Sequence, residues 1–236
     1  MPHGDGVMAV TPMRLGRDSM DSERGTALLC ALMVTALLAT LGAALVFVVT
    51  TESLVGANHR AALQGFYAAE AGIERAIGEL RRLSTWQPVP ASGAGSSSGD
   101  FNDGALAPQL ADGTILDLAR VTTERQRDSN AFYPDTPDRP AWRLFAHASL
   151  ERMIAGDAGP APPYVVVWVA DDPDDLDGDP GRDSNDILIV RAEAFGVRGG
   201  RRAVEATIFR ESALDGAVAG GAMRTDVSVI AWREVR

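Results

Sequence analysis

Eight carboxylates stand within residues 171–186, D-D-P-D-D-L-D-G-D-P-G-R-D-S-N-D, against one arginine, Arg182. Oxygen donors at this density are what calcium takes, about six to eight at a time, so Asp171, Asp172, Asp174, Asp175, Asp177, Asp179 and Asp183 are candidate ligands. Asp175, Asp177 and Asp179 alternate as in a calcium loop. The EF-hand pattern itself fails: counted from Asp175, the glycine position holds Pro180 and the bidentate glutamate position holds Asp186. Two readings stand side by side, a calcium site and a solvated acidic loop.

Other chemistry is thin. Residues 95–99 satisfy G-x-S-x-G, but the nucleophile elbow needs a strand before Ser97 and a helix after it, and the surroundings are low-complexity. His59 and Arg60 suit packing on a helix, and His147 falls on the polar face of an alternating segment with no Ser or Cys partner. No catalytic constellation emerges, so turnover is not expected and the chain reads as no enzyme. One cysteine, Cys30, and three histidines exclude intrachain disulfides and multi-ligand structural zinc sites. A formal charge of -10, with 22 basic residues that are all arginine against 32 acidic ones, lacks the footprint that phosphate backbones demand, so nucleic acid is not an expected partner.

The elements that carry these residues begin with residues 26–51, TALLCALMVTALLATLGAALVFVVTT, which hold no charge. About 20 apolar residues suffice to cross the hydrocarbon core as a helix. A removable secretory signal would have a shorter apolar region, about 7–15 residues, ending at small residues, so a retained single-pass anchor is the reading preferred here. Arg14, Arg17 and Arg24 precede the run and only Arg60 follows closely, which keeps the N-terminus cytoplasmic and the bulk outside. Ala27, Ala31, Thr35, Ala39 and Ala43 recur every four residues, a ridge of small side chains that lets another helix approach, or simply a reflection of alanine frequency. After the run no proline appears until Pro88, so the helix is expected to continue past the membrane to about Leu83. Leu63, Phe66, Ile73, Ile77 and Leu80 share one face, with Glu74, Arg75, Glu79, Arg81 and Arg82 largely off it.

Three stretches now resemble a known family: E-R-G-T-A-L-L at 23–29, A-N-H-R at 57–60 and F-Y-A-A-E-A-G-I-E-R-A at 66–76. Residues 20–83 resemble the PilX-type N-terminal region of type IV pilus assembly proteins, which are minor pilins. The ending V-I-A-W-R-E-V-R at 229–236 is weakly similar. The resemblance implies a leader, residues 1–25, cut by prepilin peptidase between Gly25 and Thr26, and methylation of the new amino terminus. It implies an inner-membrane protein that joins other pilin-like subunits through its N-terminal helix and can enter the pilus. Most major pilins have glutamate at the fifth mature position, and here that position holds Cys30. Charge within a bilayer is tolerated where it pairs, and the family's glutamate meets a neighbour's terminal amine. Tip pseudopilins of the K type in type II secretion also lack it, so the departure suits a subunit that initiates or caps a fibre. The alternatives are such a tip pseudopilin and a single-pass sensor or adhesion ectodomain.

Residues 84–111, rich in Pro, Gly, Ser and Asp, are expected to be a flexible linker between the helix, 26–83, and a β-rich head, 112–236. In the head, Trp142, Leu144, Ala146, Ala148 and Leu150 alternate with polar residues, as do Val204, Ala206 and Ile208. Residues 164–169 and 187–190 are β-branched apolar runs suited to central strands, 198–201 read as a hairpin turn, and 226–232 as a further strand. The fold expected is α+β: a long N-terminal helix whose amphipathic half packs on a small, mostly antiparallel sheet.

Overall fold

A computed structural model describes residues 18–93, 101–134, 136, 138–154, 158–159, 161–214 and 223–235. The chain divides into two compact units, Met1–Gly56 and Ala57–Arg236.

The first unit contributes the opening stretch of helix α1, Asp18–Leu80. Every described residue from 25 to 55 is exposed, with Leu28, Met33, Leu45 and Phe47 each more than 60% accessible. The helix is long and apolar enough to cross a membrane, with mean hydropathy reaching 2.5. Threonine hydroxyls bond back to the helix, Thr35 to the Ala31 carbonyl at 3.0 Å, Thr40 to that of Leu37 at 2.8 Å, Thr50 to that of Val46 at 2.9 Å and Thr51 to that of Phe47 at 2.9 Å. Such back-bonding removes the need for water around a hydroxyl in an apolar setting.

The second unit is an α+β fold built on one antiparallel sheet in the order β1-β2-β3-β4-β5, a meander in which each strand pairs with its chain neighbour. The strands are β1 Arg143–Ser149, β2 Tyr164–Asp171, β3 Ile187–Phe195, β4 Arg201–Leu214 and β5 Met223–Val235. Short helices α2, Val89–Ser92, and α4, Leu150–Met153, lie beside β1 and β2, and helix α3 spans Leu118–Phe132. The β3–β4 connection is the glycine-containing hairpin expected at 198–201, with Gly199 at φ 72°.

Alternation along β2 sends Val165, Val167 and Val169 to one face, where they join Ala68, Ala69, Ile73, Ala76, Ile77 and Leu80 of α1. Small residues set how close the helix comes. A Cβ added at Gly72 would lie 2.7 Å from Val165 Cγ1 and 3.1 Å from Ala192 Cβ, so glycine permits this approach. Of the face expected, Ile73, Ile77 and Leu80 lie in the core and Phe66 packs against it, while Leu63 is 42% exposed and Glu79 is buried, paired with Arg75 at 3.2 Å and Arg82 at 3.3 Å.

The opposite face carries Val166, Trp168 and Ala170, covered by Leu116, Leu118, Val121 and Trp142. Helix α3 was not foreseen, because its charged composition leaves few apolar residues to mark a period. Asp117 caps it, its carboxylate accepting from the Arg120 amide at 2.9 Å, and Thr122 accepts from the Trp168 indole at 2.8 Å.

The stretch expected to be a flexible connection is largely structural. Trp86, Val89 and Phe101 are fully buried in the core shared with α1, so described parts of 84–111 belong to the compact unit, which starts at Ala57 and not at 112. Burying about 150–250 Å² of an aromatic ring outweighs the polar composition around it. Residues 94–100, with Ser97 and its G-x-S-x-G pattern, lie outside the described residues.

Candidate functional site

The acidic segment connects β2 to β3, and a chain of side-chain turns folds it. Asp172 Oδ2 accepts from the Asp174 amide at 3.1 Å, Asp177 Oδ1 from Asp179 at 2.8 Å, Asp179 Oδ1 from Gly181 at 3.0 Å and Asn185 Oδ1 from Ile187 at 2.9 Å. Short Asp and Asn side chains substitute here for the ladder that a hairpin would otherwise use. Gly178 supplies the one glycine turn with positive φ, 79°.

Of the seven carboxylates expected as ligands, the structure gathers three. One oxygen each from Asp171, Asp175 and Asp177 lies within 4.8 Å of the other two. Two oxygens that bind one calcium at about 2.3–2.6 Å are at most about 5 Å apart, so this spacing fits a shared ion. Asp172 is turned to the Asn185 amide at 3.0 Å, Asp174 and Asp179 are exposed, and Asp183 accepts from the Ile187 amide at 3.2 Å. None of these four belongs to the gathered group.

Asp171 is 1% exposed, and neither of its carboxylate oxygens has a hydrogen-bond partner; Asp183 Oδ2 is likewise buried without one. Burial pushes the Asp171 carboxyl up to about 8, helped by the charges of Asp175, Asp183 and Asp172. Burial and then Asp186 push Asp183 to about 6, and burial raises Asp172 despite its bond from Asn185. Asp175 goes the other way: burial alone would raise it, but the Ser184 hydroxyl and amide, both at 2.7 Å, hold it below the ordinary carboxylate range. Ser184 was not singled out in the sequence, since only the folded loop brings it back to Asp175.

The loop is fastened to the core. Arg210 of β4 donates through Nε to Asp186 Oδ1 at 2.9 Å and through Nη1 to the Ser84 carbonyl at 2.6 Å, and the Asp183 amide donates to the Gln87 carbonyl at 3.3 Å. An open groove of 510 Å³ runs beside it, with Tyr133, Asp172, Asp174, Ile230 and Arg233 among its walls.

A second polar cluster corrects the reading of His147, which is 2% exposed and not on a polar face. Tyr164 donates its hydroxyl to Asp103 Oδ2 at 2.8 Å, while His147 Nδ1 lies 2.9 Å from that hydroxyl oxygen and 3.1 Å from Asp103 Oδ1. With the phenol proton committed to Asp103, Nδ1 must carry the imidazole proton and act as donor. Burial and the Asp103 bond push the Tyr164 hydroxyl far above its ordinary value, which denies it a role as nucleophile. The triad fastens Asn102 and Asp103 to β1, where Asn102 bridges His147.

Burial lowers the His147 pKa, although Asp103 opposes it, so the folded state disfavours the charged ring. A depressed folded value gives stability that is present above the unfolded pKa of about 6.5 and is lost as the pH falls through the folded value. A His147→Asn variant keeps a short polar donor but no titration. Its stability deficit relative to wild type should shrink between pH of about 7.5 and about 5 in chemical denaturation; a constant deficit would contradict a neutral buried imidazole.

Among the remaining expected positions, Gly25 and Thr26 lie within α1, and Ala27, Ala31, Thr35, Ala39 and Ala43 are all exposed on it, as are Cys30 and His59. Comparison with family models, with curated proteins and with solved structures returned no match.

Proposed function

We propose that the chain is a minor pilin-like structural subunit of the PilX type, stored in the inner membrane and drawn into a fibre that it initiates or caps. Its work is assembly, not turnover. The observation that carries this reading is the division of labour along α1: residues 25–55 expose an uncharged apolar surface longer than a bilayer needs, while residues 65–80 form the core of a single antiparallel sheet unit. A helix apolar on all sides suits lipid at one stage and neighbouring helices at another, because both remove the same surface from water. The ridge from Ala27 to Ala43 is where another subunit's helix would come closest.

The orientation follows from the arginines before the span, with the N-terminus cytoplasmic and the sheet unit outside. Cys30 favours a tip position, in a pilus or in a type II secretion pseudopilus, because a subunit without the fifth-position glutamate has no carboxylate to offer a neighbour's amine. Prepilin peptidase is the processing partner, and other pilin-like subunits are the assembly partners.

Peptide mass spectrometry of the membrane fraction from cells with and without prepilin peptidase tests the proposal. The expected product is a methylated peptide that begins at Thr26 and disappears without the peptidase. An uncut N-terminus in both strains would replace the proposal with a single-pass sensor or adhesion ectodomain.

A further inference from the structure

We propose that Asp171, Asp175 and Asp177 bind one calcium ion, and that the ion locks the β2–β3 loop onto residues 84–89. The proposal does not depend on the fibre reading.

The argument starts from Asp171. Its carboxylate is 1% exposed at the end of β2, with both oxygens unpartnered, and one of them faces the carboxylates of Asp175 and Asp177 within 4.8 Å. Buried polar side chains nearly always have partners, and a buried charge needs a counter-charge. Among the described residues no side-chain cation pairs with it. Arg210 is committed to Asp186 and to the Ser84 carbonyl, and Arg182 is exposed. A proton would neutralise Asp171 but would leave both of its buried oxygens without a hydrogen-bond partner. What fits is a cation placed between the three carboxylates.

The donor set selects the ion. All three ligands are carboxylate oxygens, with no imidazole or thiolate, which disfavours zinc and copper. Magnesium demands near-octahedral geometry at short distances, whereas calcium accepts the irregular spacing and open coordination of a loop that leaves Asp177 exposed to solvent. Water and backbone oxygens would complete the shell. Ser184 already positions Asp175 through two bonds, so the loop is partly organised for the ion.

The same loop holds Asp183 and Asp186, whose bonds reach Gln87 and Arg210. An ion that neutralises the repulsion at 171–177 therefore strengthens contacts to residues 84–89, which carry the buried Trp86 and Val89. Loop and segment should tighten together.

The test uses the full-length protein in detergent micelles, stripped of metal with chelator, with calcium chloride or magnesium chloride as probe. Calcium at about a hundredfold excess over its Kd should raise the thermal midpoint by about 5–10 °C, and magnesium should do much less. Asp171→Asn, which keeps the shape of the side chain but replaces one ligand oxygen by an amide nitrogen, should lose the calcium response. Asp177→Asn, at an exposed position, should lose most of the response without disturbing the fold. Asp128→Asn, outside the loop, should respond as wild type does. Hydrogen exchange should slow on calcium binding both in 172–186 and in 84–89. A folded wild type with no calcium-specific rise, or full response in Asp171→Asn and Asp177→Asn, would overturn the site. Protection confined to the loop would overturn the coupling to residues 84–89.

Discussion

Replacing Glu193 by alanine should destabilise the sheet unit by about 3–5 kcal/mol, the range for removing one partner from a buried charge network. Glu193 is fully buried on β3 and faces three guanidiniums. It accepts from Arg191 Nε at 2.9 Å and from Arg201 Nε at 2.7 Å, and Arg125 of α3 lies at 3.3 Å. The network continues sideways, with Arg191 reaching Glu205 at 3.3 Å and Glu205 accepting from Arg233 Nε at 3.0 Å. Four arginines from α3 and three strands thus converge on two glutamates. Taking away Glu193 leaves Arg125 with Asp128 at 2.9 Å and Arg201 with no carboxylate in this network. Burial already lowers the Arg125 pKa, so its charge depends on that carboxylate more than a solvated one would. Equilibrium denaturation of the purified chain in micelles measures the loss. A double-mutant cycle with Arg201→Ala should show a coupling of about 1–3 kcal/mol, since the second substitution removes one of the stranded charges. A loss below about 1 kcal/mol for Glu193→Ala would mean that water reaches the network and screens it.

The second large effect is expected at Trp86. Trp86→Ala should cost about 3–5 kcal/mol, through lost apolar burial and the cavity left behind. The indole is fully buried, its Nε1 donates to the Leu80 carbonyl at 3.0 Å, and the Arg210 guanidinium lies 5.9 Å from a ring centroid. Leu80 ends α1, where carbonyls have no partner within the helix; its carbonyl accepts from the Leu83 amide at 3.1 Å and from the indole, which adds a cap supplied from outside. Trp86→Phe keeps most of the packing and should cost about 1 kcal/mol more than a pure volume change, the net value of one hydrogen bond. Denaturation curves and near-ultraviolet circular dichroism separate the two variants. Equal losses in Phe and Ala would mean that the hydrogen bond, not the ring volume, dominates.

Both residues show where sequence reasoning stops. Glu193 sits in R-A-E-A-F, an alternating pattern in which the charged positions read as a solvent face. They are buried because α3 and the Arg–Glu network cover that side of the sheet, which composition does not announce. Trp86 sits among Ser, Thr, Gln and Pro, a setting that reads as a linker until the ring is seen in the core. His147 falls in the same class: it alternates with apolar residues on β1, yet Asp103 and Tyr164, far away in the chain, give it a buried place.

The sequence by itself determined what depends on local order. An uncharged run longer than a bilayer must be helical and apolar, and five β-rich segments separated by turns must pair if their faces are to be covered. The density of carboxylates between β2 and β3 was equally plain in the sequence. Only the tertiary structure decided which carboxylates meet, because Asp171, Asp175 and Asp177 converge through turns bonded to Ser184 and Asn185, and burial of Asp171 comes from the strand that precedes them. Convergence and desolvation are properties of the folded arrangement: they depend on distances between residues that no linear spacing contains.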